Sequence, residues 1–375
     1  MNIITTRYLI RIKYKIGEVV MMKGRYFWYR RILTMAVIAL SMVLFSVSYN
    51  KNQSDKTLEV TQDGTKLYVG GFTVGIYLET EGALVVGTDV VTGEDGLNYD
   101  PAYGKIKAGD YIVALNNINV SAKSQLSFLV NKYGHEDIIL TLKRGNEIMD
   151  VVISPVAVGN GEYKIGAWVK DDSQGIGTVT YITNTGDFGA LGHGISDIDT
   201  KELLGAENGR IYVANIWGIT KGRAGSPGSL CGSIDYEESM ILGAIEENCN
   251  IGIYGNLSEY KQVSEIVEQY GLKPAEICAR KDVKLGQAYI RCSVDDQIKD
   301  YEIEITELKK NVEGNKGIVL KVVDEELLEI TGGIVQGMSG SPILQNGKII
   351  GAVTHVFVRD SRLGYGIFIE EMLED

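Results

Sequence analysis

Abundant glycine set against scarce proline is what most limits the folds open to this chain. It holds 45 Gly and 5 Pro, together with 21 Tyr and many Val and Ile. Branched and aromatic side chains suit pleated strands, and glycine supplies tight turns between them. The composition therefore predicts a mainly β chain of short strands, not a helix bundle. At 375 residues it is long enough for two or three domains and a sizeable core.

Charge is unevenly placed. The net charge is −12, yet residues 1–50 carry eight Lys/Arg against one acidic residue, Glu18. The remainder has 29 basic against 48 acidic side chains, and such a body repels phosphates, which argues against nucleic-acid binding. Residues 32–49 form an uncharged apolar run, about 27 Å long as a helix. Lys23, Arg25, Arg30 and Arg31 precede it, with Tyr26, Phe27, Trp28 and Tyr29 among them. That order predicts a cytoplasmic segment 1–31, a membrane anchor over 32–49 and an extracytoplasmic remainder. Ser46-Val47-Ser48 is where a cleaved signal peptide would be cut, but the run is long for one, so a retained anchor is expected. Residues 1–20 are basic and unpatterned, and the reading places the start of translation at Met21 or Met22. Residues 50–57 are polar and read as a linker.

The stretch Gly337-Met338-Ser339-Gly340-Ser341-Pro342 carries the strongest chemical signal. It lies between short apolar runs and is followed by an Asn346-Gly347 turn and the run 348–354. A serine in a tight glycine loop at a strand end presents a hydroxyl and two N–H groups to one point, as a nucleophile with an oxyanion hole requires. A base must accompany it, and the chain has only three histidines. His135 follows the helix-ending Gly134 and reads as a solvated turn residue. His193 sits in the glycine-dense run 186–197, and His355 follows the strand after Ser339. Ser341 and the turn Gly225-Ser226-Pro227-Gly228-Ser229 are rival serine sites. Cys231, Cys249, Cys278 and Cys292 lack metal-ligand spacing and read as free thiols rather than disulfides. No phosphate loop, dinucleotide fingerprint or metal cluster occurs, so no cofactor is expected.

Residues 58–154 form a unit with a helix expected over 121–133. It resembles a PDZ domain: Gly70-Gly71-Phe72 with Val74 resembles the carboxylate-binding loop and groove strand, and Ile106–Asn116 (I-K-A-G-D-Y-I-V-A-L-N) the G-L-x-x-G-D-x-I-x-x-I-N signature. The resemblance implies that Gly70, Gly71, Phe72 and Val74 bind a peptide, as a C-terminus or an internal strand. Residues 155–375 form a third unit of short strands (177–182, 211–217, 241–245, 288–292, 301–306) with one helix expected over 257–270, the size of a double β-barrel.

In this third unit, Gly337–Pro342 and its hairpin resemble the corresponding strands of chymotrypsin-like proteases. More specifically, G-D-F-G-A-L-G-H-G-I-S-D and T-G-G-I-V-Q-G-M-S-G-S-P-I-L-Q-N-G-K-I-I-G-A-V-T-H-V-F-V resemble the stage IV sporulation protein B peptidases of endospore-forming bacteria, as does the order of anchor, PDZ domain and peptidase. The resemblance implies a serine endopeptidase with Ser339 as nucleophile, His193 as general base and Asp324 as orienter, and with Gly337 and Ser339 N–H groups as oxyanion hole. Read from residues alone, Asp324 is a helix N-cap for 325–330, and Asp187, Asp197 and Asp199 are rival orienters. The family further implies cleavage of the protein's own N-terminal region and of a membrane-associated regulator in the forespore intermembrane space, activating an intramembrane protease and late sigma-factor processing. The competing expectation is a PDZ receptor with an inactive peptidase fold.

Overall fold

The computed structural model describes residues 66–295, 297–310 and 314–373. The expected segment 1–31, anchor 32–49 and linker 50–57 lie outside them. Among the described residues no helix is long and apolar enough to cross a membrane.

The chain is mainly β, and its strands close into two barrels. The first is built from β1 (Thr73–Thr88), β2 (Ala167–Ile182), β3 (Asp187–Ala190), β4 (Ala206–Thr220), β5 (Ile241–Cys249) and β6 (Gly252–Asn256). Its pairings run β2–β3–β6–β5–β4–β1 and return to β2, so the ring is closed. The second barrel is closed by β7 (Gly286–Ser293), β8 (Ile298–Leu308), β9 (Ile318–Val322), β10 (Pro342–Gln345), β11 (Lys348–Phe357) and β12 (Asp360–Phe368). Closure leaves no free edge along most of each ring. Each barrel has its own aliphatic core, around Val74, Ile211 and Ile253 in the first and Ile290, Ile303 and Ile343 in the second. A further cluster including Leu67, Tyr181, Ile349 and Ile367 joins them.

The strands expected over 177–182, 211–217, 241–245, 288–292 and 301–306 all lie inside barrel strands. One boundary moves. The helix expected over 257–270 forms only as α2 (Val263–Tyr270), ending on left-handed Gly271 as its sequence suggests. Leu257 is instead buried in the first-barrel core, and its N–H bonds the Gly186 carbonyl, which fixes the preceding turn.

The domain division is corrected more deeply. β1 and β2 are each 16 residues long and pair along their length, from Thr73↔Thr178 to Thr88↔Ala167. Their outer halves leave the first barrel and enter a smaller lobe. The lobe adds strands Tyr111–Leu115, Ile138–Arg144 and Glu147–Ile153 and helix α1 (Lys123–Tyr133) around a core including Ile112, Leu129 and Leu140. It is thus inserted into the first barrel between β1 and β2, rather than preceding the peptidase as residues 58–154. Gly70, Gly71, Phe72 and Val74 consequently do not face a lobe groove. Gly70 and Gly71 donate their N–H groups to Thr180 and Val179 carbonyls. Phe72 is 2% exposed and stacks on Tyr270 at 4.1 Å, and Val74 is 0% exposed. These four residues begin the first barrel, and their burial there excludes the peptide-binding role.

Asp324 caps the short helix α3 (Glu325–Thr331): its Oδ1 accepts the Leu327 N–H at 3.0 Å and its Oδ2 the Glu302 N–H at 3.2 Å. Loss of a cap carboxylate costs about 1–2 kcal/mol. Asp324→Ala is therefore expected to lower stability by about that amount, measured by urea unfolding; an unchanged midpoint would remove the capping role.

Candidate active site

Ser339 and His193 line one cavity of about 560 Å³, which takes residues from both barrels. Each reaches it for a different reason. His193 follows β3 in a turn where Leu191 and Gly192 adopt left-handed backbone at φ 69° and 68°. Asn248 on β5 holds the next residues: its Oδ1 accepts the Ile195 N–H at 2.8 Å, and its Nδ2 donates to the Ile195 and Leu204 carbonyls, both at 2.9 Å.

Ser339 lies in a loop clamped by β2. Thr178 Oγ1 donates to the Gly337 carbonyl and Thr180 Oγ1 to the Gly340 carbonyl, both at 2.8 Å. The Thr178 N–H donates to the Ser339 carbonyl at 3.0 Å. Gly340 has φ +94°, and a Cβ there would stand 2.0 Å from the Thr178 carbonyl oxygen, so no other residue permits this approach. The peptide carbonyls paired with the Gly337 and Ser339 N–H groups, those of Gln336 and Met338, accept the Leu230 and Ser341 N–H groups, and the two N–H groups themselves have no protein acceptor among the described residues. This is the arrangement an oxyanion hole needs.

The rival serines separate cleanly. Ser341 is fully buried against the loop. The turn 225–229 supports the loop from outside: Gln336 donates its N–H to the Gly228 carbonyl and accepts the Leu230 N–H, both at 2.8 Å. His135 is an exposed turn residue beside Glu136. None of the four cysteines is in a disulfide, and only Cys292 is buried.

The His193 Nδ1 lies 2.9 Å from the Gly194 carbonyl oxygen. A carbonyl only accepts, so Nδ1 carries the hydrogen and Nε2 of the neutral ring keeps its lone pair. Burial lowers the His193 pKa, and the Gly194 hydrogen bond opposes this in part. The His355 ring stands 4.9 Å from that of His193. Its pKa is pushed down to about 4 by burial first, then by the charges of His193 and Lys316.

No carboxylate of the described residues hydrogen-bonds His193. The expected orienter Asp324 is engaged at α3 and Glu302, so the structure does not bring it to the imidazole. The rivals are engaged elsewhere too: Asp187 with Thr183, Thr185 and Asn256, and Asp197 and Asp199 with Lys170. The Ser339 hydroxyl itself donates to the Thr354 carbonyl at 2.8 Å. Its single proton therefore points at backbone, and a turn about χ1 is needed before it can pass to an imidazole. Thr178, Thr180 and Asn248 were missed by sequence reasoning; the one available signal was polar Thr at alternate positions of the run 177–182, whose other residues are Gly177, Val179, Tyr181 and Ile182. Among the described residues no group of His, Cys, Asp or Glu could hold a metal ion.

Two outcomes follow from this geometry. A lowered His193 pKa keeps the base form populated further into acid, so the acid limb of kcat/KM should fall below the ordinary histidine value of 6.5. A limb at or above that value, in a pH–rate profile of the free enzyme, would contradict the burial argument. Thr178→Val keeps the side-chain shape but frees the Gly337 carbonyl; kcat is expected to drop about tenfold with little change in KM, because Gly337, the residue that carries one oxyanion donor, loses an anchor.

Comparison with known proteins places the chain in a family. A protein-family model described as SpoIVB peptidase S55 matches residues 161–373. No curated protein matches the chain. Among solved structures, the active form of the Rv3671c protease from M. tuberculosis is similar at 13% identity and TM-score 0.29, covering 53% of this chain and 71% of that one. An HtrA-type protease with a bound decapeptide is similar at 10% identity and TM-score 0.31, covering 55% and 52%. On the family match across more than half its length, the chain belongs to the SpoIVB peptidase S55 family and is a serine peptidase.

Proposed function

We propose that this serine peptidase is a membrane-anchored endopeptidase of sporulation signalling, in which Ser339 is the nucleophile and His193 the general base. The observation that carries the reading is that both side chains line one cavity beside two unengaged loop N–H groups. The substrate backbone adds along the β11 edge. β10 pairs with β11 up to Ala352, and Ser341 accepts the Val353 N–H, leaving Thr354 to Phe357 open on that side. A substrate N–H that binds the Thr354 carbonyl competes with the Ser339 hydroxyl and releases it toward His193. Oγ then attacks the peptide carbonyl while Nε2 takes its proton. The Gly337 and Ser339 N–H groups hold the oxyanion, each contributing about 3–4 kcal/mol by analogy with measured donors. The imidazolium returns the proton to the leaving amine, and water attacks the acyl-enzyme by the same route in reverse. The Gly194 carbonyl keeps the His193 ring in the tautomer this requires.

By family membership, the substrates are the protein's own N-terminal region and a membrane-associated regulator. Cleavage of the regulator releases an intramembrane protease that activates a late sigma factor. The apolar run 32–49, with basic residues before it, supports an extracytoplasmic catalytic part in the forespore intermembrane space.

The inserted lobe supplies a peptide-binding site different from the expected one. A groove of about 500 Å³ lies between α1 (Lys123, Leu126, Val130) and the first residues of β2 (Ala167–Val169). There β2 pairs only with β1, so its other edge is open to an added strand. The lobe acts as a PDZ-type module that presents a peptide C-terminus or an internal strand to the peptidase.

Self-cleavage of the full-length chain tests the catalytic assignment. Ser339→Ala and His193→Ala should each reduce it by at least about a thousandfold with the fold retained. Continued cutting by Ser339→Ala would remove Ser339 from the mechanism, and absence of cutting by the wild type would favour a non-catalytic receptor.

A further inference from the structure

The cavity that holds Ser339 and His193 is unlike the rest of the molecule. The chain carries 37 basic and 49 acidic side chains, yet among the described residues none that lines this cavity is Asp, Glu, Lys or Arg. Nine of them are aliphatic Ile, Leu or Val. The two histidines do not add charge near neutral pH, because burial holds both rings toward the neutral form.

The aliphatic residues stand on both sides of the reacting groups. Before the nucleophile, Ile334 and Val335 are buried in the segment leading into the serine loop, with Val356 facing them from the open edge of β11. Ile334 closes the floor: it fills the space beside Gly364 on β12, where a Cβ would stand 2.3 Å from Ile334 Cδ1. Beyond His193, Ile195 and Ile198 continue the apolar wall, with Ile198 78% exposed at its outer end.

We propose that this site cleaves within uncharged, aliphatic-rich segments, with a Val, Leu or Ile side chain of the substrate seated between Val335 and Val356 just before the scissile bond. The inference rests on the endopeptidase reading above and adds its substrate class. Each methylene moved from water into this pocket strengthens binding roughly fourfold. A lysine or glutamate side chain would shed water there and find no opposite charge. Aliphatic walls on the far side of the bond extend the preference to the residues that follow it.

The test uses the full-length protein and a degenerate peptide library, with cut sites read by mass spectrometry and Ser339→Ala as background. Aliphatic residues before the cut should exceed alanine by about tenfold or more, and lysine or glutamate there should be about a hundredfold rarer. Ser339-dependent cuts that follow charged residues as often as aliphatic ones would overturn the inference while leaving the peptidase intact. No Ser339-dependent cut, in the library or in the chain itself, would overturn the endopeptidase assignment and the inference with it. A second arm places a carboxylate in the pocket. Val356→Asp should raise the ratio of cuts after lysine to cuts after leucine about tenfold, and an unchanged ratio in a folded variant would place the pocket elsewhere. If that variant does not fold, the wild-type library decides alone.

Discussion

The grip of β2 on the serine loop is the constraint from which the rest of the site follows. Two threonine hydroxyls and one backbone N–H fix the carbonyls of Gly337, Ser339 and Gly340 from the opposite barrel. These anchors hold the residues around the two donor peptides, whose own carbonyls, those of Gln336 and Met338, accept the Leu230 and Ser341 N–H groups; a peptide has its carbonyl and N–H on opposite sides, so holding one aims the other. The hydroxyls are fully buried, in surroundings where a lost partner is expensive. The loop is therefore rigid, and its donors are in place before substrate arrives. Such preorganisation makes donors effective, because no dipole has to turn as charge develops.

Local chemistry was legible in the sequence and long-range pairing was not. The serine loop, the glycine-flanked histidine, the Asp324 cap and the glycine at the end of α2 all depend on neighbours within a few residues, and each stands where the pattern put it. The family motifs around His193 and Ser339 also pointed to the peptidase. Gly70-Gly71-Phe72 misled because a glycine turn before an apolar strand looks the same in a lobe and in a barrel. What decides is the partner: β1 pairs with residues about one hundred positions away, and alternation within a strand carries no information about that distance. The insertion of the lobe was hidden for the same reason. Asp324 shows another limit, since one carboxylate satisfies both a capping pattern and an orienter pattern, and only the geometry shows which atoms it meets.

Electrostatics separates the cleft from its surroundings. The carboxylates near His193 in sequence are turned outward onto Lys170 or into turn hydrogen bonds, and Asp197 accepts the N–H groups of Asp199 and Thr200 as well. An acidic chain would otherwise place negative charge beside the developing oxyanion and oppose it. Removing carboxylates from the cleft leaves the Gly337 and Ser339 dipoles unopposed, and the low-dielectric walls strengthen them. Charge exclusion thus serves the proposed transition state as well as the proposed fit of an apolar substrate.

The mode of insertion ties the lobe firmly to the barrel site. A module on one flexible linker samples many orientations and adds only effective concentration. Here two paired strands carry the lobe. Further ties join it to the loop after His193: the Gly205 N–H donates to the Tyr111 hydroxyl at 3.0 Å, and Lys170 pairs with Asp197 at 3.2 Å. β2 also accepts the first N–H of α1 through Asp171 at 2.9 Å. The strand that forms one wall of the lobe groove at Ala167–Val169 continues to Thr178, about 30 Å further along at strand rise. A lobe held this way cannot swing freely without breaking strand pairing. The groove therefore lies in a fixed relation to Ser339, and the serine loop and the groove share one element of backbone.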